Sequence, residues 1–106
     1  MKNRPVVPRL QARRDVEAIV QYYLDEGAAS AAIGFIDALE TAYADISRRP
    51  TIGSPRHAHE LDLPGLRSWP LKRYPHIVFY VEQLDHIDVW RVLHGKVDIP
   101  AWMQAP

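Results

Sequence analysis

At 106 residues the chain is the length of one domain, long enough to bury a core without covalent staples but with little margin. It contains no cysteine, which excludes a disulfide framework and a thiolate metal site, and no stretch approaches the roughly 18 apolar residues of a membrane span. Thirteen bases balance thirteen acids at a pI near 7, which argues against broad or sequence-specific nucleic-acid binding by the chain alone, and no apolar signal core follows Met1-Lys2-Asn3-Arg4-Pro5, so the expected location is the cytoplasm, away from membranes.

The first segment is basic: Lys2, Arg4, Arg9, Arg13 and Arg14 occur with no acid among residues 1–14. Val6, Val7 and Leu10 lie between Pro5, Pro8 and Arg9, a pattern that suits a short edge strand, where proline is tolerated. Val16, Ile19, Val20 and Tyr23 then fall at i, i+3, i+4 and i+7, one stripe of a helix. Asp15 and Glu17 are expected in its first turn, where the helix dipole favours acids, and Gly27 stops it. Ala32, Ile36, Leu39, Tyr43 and Ile46 give a second helix one apolar seam, closed by Arg48, Arg49 and Pro50. Residues 15–47 hold seven acids and no base, so this helical hairpin is acidic. Residues 48–76 reverse the balance, with six bases against Glu60 and Asp62.

Residues 50–65 are rich in turn formers and read as a loop. Leu66 to Lys72 reads as a strand interrupted by Pro70, at an edge or a bulge. Ile77 to Val81 is apolar on both faces and should be central, and Ile87 to Leu93 is similar, with Arg91 as the exception. The loops between these runs are too short for a crossover helix, so they form an antiparallel meander. The expected fold class is α+β, in the order β-α-α-β-β-β: an N-terminal strand, then a helical hairpin packed on a small antiparallel sheet. One domain spans residues 1–106, with its core at about 5–98 and a C-terminal tail at 99–106. The partner of the first strand stays open at this point.

Little in the chain points to chemistry of its own. His57-Ala58-His59-Glu60 invites a metal reading, but zinc needs at least three well-held protein ligands and no third is evident, so neither metal nor cofactor is expected. No nucleophile–base set and no phosphate loop is present. The bases Arg67, Lys72, Arg73, Arg91 and Lys96, with His94, come from adjacent strands. If they converge on one side of the sheet, they form an anion or target-binding surface. Alternatively Arg67 or Arg91 pairs with Asp88 or Glu82 across strands. Asp85 and Asp88 flank a turn, the ordinary use of aspartate. Trp90, between Val89 and Arg91, reads as core. Trp102, in a tail bounded by Pro100 and Pro106, either packs back on the sheet or meets a partner. Tyr22, Tyr23, Ile33 and Phe35 exceed what one seam can bury, and are expected to form an apolar patch on the outer side of the hairpin that seeks a protein partner.

The closing half carries a resemblance. G-L-R-S-W at 65–69, I-V-F-Y-V at 77–81 and V-W-R-V-L-H-G-K-V-D-I-P at 89–100 resemble the RelE/ParE superfamily of toxins, specifically the ParE branch of type II toxin–antitoxin modules. With the two helices, the resemblance covers roughly residues 5–103. It implies a plasmid-stabilisation type toxin that inhibits bacterial DNA gyrase by trapping its cleavage complex. It also implies neutralisation by a ParD-like antitoxin and no catalytic residues in the toxin. RelE-like relatives instead cut messenger RNA on the ribosome, with basic residues and a terminal Tyr or His. After Leu93 this chain has only His94, with no tyrosine, and Val97 stands where arginine is common in both branches. A ribosome-dependent ribonuclease and an inactive toxin fold that only binds its antitoxin are therefore the alternatives.

Overall fold

In a computed structural model that describes residues 3–104, β1 (Val6–Pro8) leads into α1 (Leu10–Asp25) and α2 (Ala29–Arg48). A short α3 (Arg56–Glu60) precedes β2 (Leu66–Pro70), β3 (His76–Glu82) and β4 (Ile87–His94), and α4 (Ile99–Gln104) ends the described chain. Lys2 of the basic segment and Pro106 of the tail lie outside the described residues. The sheet order is β1-β4-β3-β2. The meander β2-β3-β4 is antiparallel, as its short connections require. β1 pairs with β4 in parallel, Val6 opposite Ile87 and Pro8 opposite Val89. The sheet is therefore mixed, and β3 and β4 are its two inner strands.

Both faces of the sheet are covered, which is why β3 reads as an unbroken apolar run. On one face, Val78, Tyr80, Ile87, Val89 and Val92 pack against Ala12 of α1 and Phe35, Leu39, Ala42 and Ile46 of α2. On the other, Leu66, Phe79 and Leu93 meet Ala58 of α3 and Ile99 and Met103 of α4. The buried positions of α2 are Ala32, Phe35, Leu39, Ala42 and Ile46. The seam thus runs one residue away from Ile36 and Tyr43, which are only partly buried. Phe35 is a core residue with no exposed surface, so it is not part of an outer patch.

Several local expectations are corrected. Leu10 opens α1, because the Arg9 amide donates to the Val89 carbonyl (2.9 Å) and the Arg13 amide to the Arg9 carbonyl (3.0 Å), closing the first turn at once. Asp15 and Glu17 are thereby beyond the first turn, and Asp15 is buried instead of capping a dipole. Gly27 does stop α1, at a φ of +71° that other residues avoid. Of the two expectations for Pro70 the edge holds and the bulge does not: Pro70 ends β2, an edge strand of the sheet. The irregularity lies at Phe79/Tyr80, opposite Trp90. The 50–65 segment contains α3, and Ser54 exchanges two 2.9 Å backbone hydrogen bonds with Ser68, blunting the free edge of β2. Tyr80 pins the start of that segment: its hydroxyl donates to the Pro50 carbonyl (2.7 Å) and accepts from the Gly53 amide (2.9 Å). The 99–106 tail contains a helix with Pro100 in its first turn, where its missing N–H costs nothing. Asp98 caps it, accepting from the Ala101 amide at 3.3 Å. No described helix is long and apolar enough to cross a membrane.

Candidate docking site

The site is built around a carboxylate. β1 is so short that it leaves the β4 edge beyond Val89 unpaired. Asp15, from the second turn of α1, fills that gap and accepts the Val92 amide at 3.0 Å. The same carboxylate takes a two-pronged bond from Arg91, Nε at 2.7 Å and Nη2 at 2.8 Å. Arg91 also donates to the Trp102 backbone carbonyl of α4, and its guanidinium lies 5.7 Å from the Trp102 ring. Both charges are nearly removed from water, Arg91 at 4% and Asp15 at 9% exposure. One buried ion pair thus fixes α1, β4 and α4 to one another.

Between these elements opens a cavity of about 500 Å³, lined by Ala18, Ile19, Tyr22 and Tyr23 of α1, the strand ends at His76 and His94, and Val97 and Trp102 beyond. Its size is that of a ligand or side-chain pocket. Tyr22 at 59% and Trp102 at 47% exposure form an aromatic rim. His76 and His94 are register partners whose rings meet edge to face at 5.5 Å. His76 is buried against Phe35 and Tyr23, and its Nδ1 has no partner among the described residues. Burial, and then the neighbouring His94, push its pKa down to about 4, so the ring is neutral near pH 7. Burial and the nearby Tyr74 and Tyr22 hydroxyls raise that of Tyr23. Behind the site, Tyr43 is pushed up to about 12 by burial and by Asp15.

The strand bases do not gather. Arg91 is sealed in its ion pair. Arg67 stands opposite Tyr80, which belongs to the face covered by α1 and α2, and donates to the Gly53 (2.8 Å) and Thr51 (3.3 Å) carbonyls. Arg91 stands opposite Phe79, which belongs to the other face. Neither pairs across strands as expected: Asp88 is held by Arg9 and by the Trp90 indole, and Glu82 by Arg4. Asp88 is therefore a buried acceptor and not a turn aspartate. Trp90 is partly buried, with the Arg9 guanidinium 4.2 Å above its ring. Lys72 and Arg73 sit in the β2–β3 turn on a separate cleft of about 410 Å³, facing Asp37 and Asp45 of α2. His94 lines the first cavity and Lys96 does not, though the Lys96 amide donates to His94 Nδ1 at 3.1 Å. The expected hairpin patch is divided as well. Tyr22 and Tyr23 line the cavity, whereas Ile33 lies with Leu24 on an outer groove between α1 and α2. His57 is buried against Phe79, and His59 is exposed. Among the described residues no three His, Asp or Glu side chains are placed to hold a metal.

Sequence reasoning missed Asp15 and His76 as parts of the site. The available signal was a mismatch in each of two apolar patterns, an acid on the stripe of α1 and an arginine within β4. Two such exceptions satisfy each other when the elements meet.

A family model for the ParE toxin of the type II toxin–antitoxin system parDE matches residues 6–99. The chain belongs to the ParE toxin family. No curated protein matches it. Among solved structures it is similar to a chain of the chromosomal ParDE toxin–antitoxin system from P. aeruginosa, at 17% identity and a TM-score of 0.71. That match covers 86% of this chain and 95% of the other, so the fold is shared almost throughout. The protein is accordingly the toxin component of a type II module.

Proposed function

We propose that this toxin arrests growth by inhibiting DNA gyrase, that a ParD-like antitoxin neutralises it, and that it acts as a protein ligand without catalytic residues of its own. The observation that carries the reading is the fate of Arg91. A ribonuclease needs its cations free to meet an RNA phosphate, and this one is spent on Asp15 and on the backbone of α4. What stays open instead is an apolar cavity with a rim of Tyr22 and Trp102, the residue types that dominate protein–protein hot spots. The test pairs two assays. The purified chain inhibits supercoiling by gyrase and accumulates cleaved DNA complexes, and transcript ends mapped after induction show no codon-phased cuts. Phased cuts abolished by His94→Ala would replace this reading with the ribonuclease, His94 being the imidazole available for proton transfer.

A further inference from the structure

The cleft beside the β2–β3 turn shares no lining residue with the apolar cavity. Asp37, Thr41 and Asp45 of α2 form one side, and Trp69, Lys72, Arg73 and Tyr74 the other. Two local departures from good backbone chemistry go into its construction. Gly34 stands inside α2, where glycine weakens a helix. A Cβ there would collide with the Tyr74 hydroxyl, which instead donates to the Ala31 carbonyl at 2.8 Å and fastens the turn to α2. Arg73 has a φ of +67°, a left-handed conformation that glycine adopts freely and other residues resist. The fold therefore keeps a cation at a position whose backbone favours glycine.

The charges of this cleft are unspent. Among the described residues no ion pair engages Lys72, Arg73 or Asp37, whereas Asp45 is held by Arg48 at 2.6 Å. Two open cations thus share the cleft with one open carboxylate and the partly buried Trp69. Asp37, Thr41 and Asp45 follow one another at single-turn spacing, so the cleft runs about 12 Å along α2. Its volume of about 410 Å³ is that of a small-ligand site. We propose that it binds a free guanine mononucleotide, a site independent of the gyrase reading. Lys72 and Arg73 take the phosphate, whose nearly two negative charges match theirs, the guanidinium fork donating to two oxygens at once. Trp69 provides an aromatic face on which the base stacks. Asp37 selects the base. The two oxygens of a carboxylate accept two parallel donors, and guanine alone of the common bases has adjacent donors, N1–H and N2–H, on one edge. Adenine, cytosine and uracil each set an acceptor beside their donor, which the carboxylate repels.

The full chain is titrated with 5′-GMP by calorimetry, with AMP, guanosine and inorganic phosphate as comparisons. GMP should bind saturably with a Kd in the micromolar range. Each comparison lacks one recognised part and should bind more weakly by roughly tenfold or more. Arg73→Gly separates binding from folding. It should weaken GMP by roughly tenfold or more, yet leave the melting temperature unchanged or higher, because glycine fits that backbone. An arginine kept for packing would give the opposite result, a lower melting temperature with GMP affinity retained. Asp37→Asn, at an exposed position that tolerates the change, replaces one acceptor by a donor and should abolish the preference for GMP over AMP. The proposal is overturned if GMP shows no saturable binding at millimolar concentration, or if AMP binds equally well. It is likewise overturned if phosphate alone binds as tightly as GMP, which would make the cleft a simple anion site, or if neither substitution changes GMP affinity.

Discussion

The carboxylate of Asp15 is fully engaged, one oxygen by Arg91 Nη2 and the other by Arg91 Nε and the Val92 amide. Each of these donors is buried, so none has water to fall back on. Asp15→Ala leaves a guanidinium without its counter-charge and a strand amide without an acceptor. Breaking one side of such a buried pair typically costs about 3–5 kcal/mol, and urea denaturation should read a loss of that size. Replacing both partners by leucine removes both charges together. The double variant should therefore lose clearly less than the sum of the two single changes, a coupling expected only between residues in contact. Additive losses would mean that the two side chains act independently. Arg91 also shows where the sequence misleads at this scale. A base in an apolar strand reads equally as a binding residue or as half of a buried pair, and only the register of a helix more than 70 residues away decides between them. Tyr22 and Tyr23 present the same ambiguity in milder form: the excess of aromatic residues was legible, but which of two grooves each one lines was not.

Elements set by local periodicity were legible, and elements set by distant contacts were not. α2 and the three-stranded meander follow from apolar spacing and turn residues, which act within a few positions. The one-residue offset of the α2 seam arises because an amphipathic stripe is wide enough to include both Phe35 and Ile36, and packing selects the aromatic ring. The parallel pairing of β1 with β4 joins residues about 80 apart, a choice that no local pattern encodes. α3 and α4, of five and six residues, are too short for a periodic signal. Asp98 and Pro100 were nevertheless a readable start signal for α4. That helix makes Trp102 testable. Its indole is half exposed, and the Arg91 bond to α4 goes to the Trp102 backbone carbonyl, which alanine retains. Trp102→Ala should therefore cost about 1 kcal/mol, mainly a lost cation–π contact and partial burial, far below a core truncation. Growth arrest should fall sharply while the melting temperature moves by only a few degrees. A stability loss as large as that of Asp15→Ala would make Trp102 a packing residue, and would remove it from the docking rim.

For the molecule as a whole, zero net charge conceals an acidic hairpin and a nearly neutral cavity wall, and the histidines set how stability responds to pH. His76 titrates at about 4 in the fold against 6.5 when unfolded, lowered first by burial and then by His94. His57, buried near Phe79 and beside Arg56, is shifted in the same direction. Below pH 6.5 the unfolded chain takes up protons that the folded chain refuses. The stabilising effect of a neutral His76 is therefore complete above pH 6.5 and is lost as pH falls toward 4. Over that window His76 alone accounts for about 3 kcal/mol, a large share of the stability of a domain this size. The carboxylates titrate partly in the same range, so the measurement that isolates the effect is a difference. Urea midpoints of the natural chain and of His76→Phe, compared at pH 7.5 and pH 4.5, should show a markedly smaller acid loss in the variant. Phenylalanine keeps the aromatic contacts with Phe35 and Tyr23 but has no ring nitrogen to protonate. An identical acid loss in both proteins would mean that the cavity wall takes up the proton without cost, and would remove His76 as the source of the acid limb.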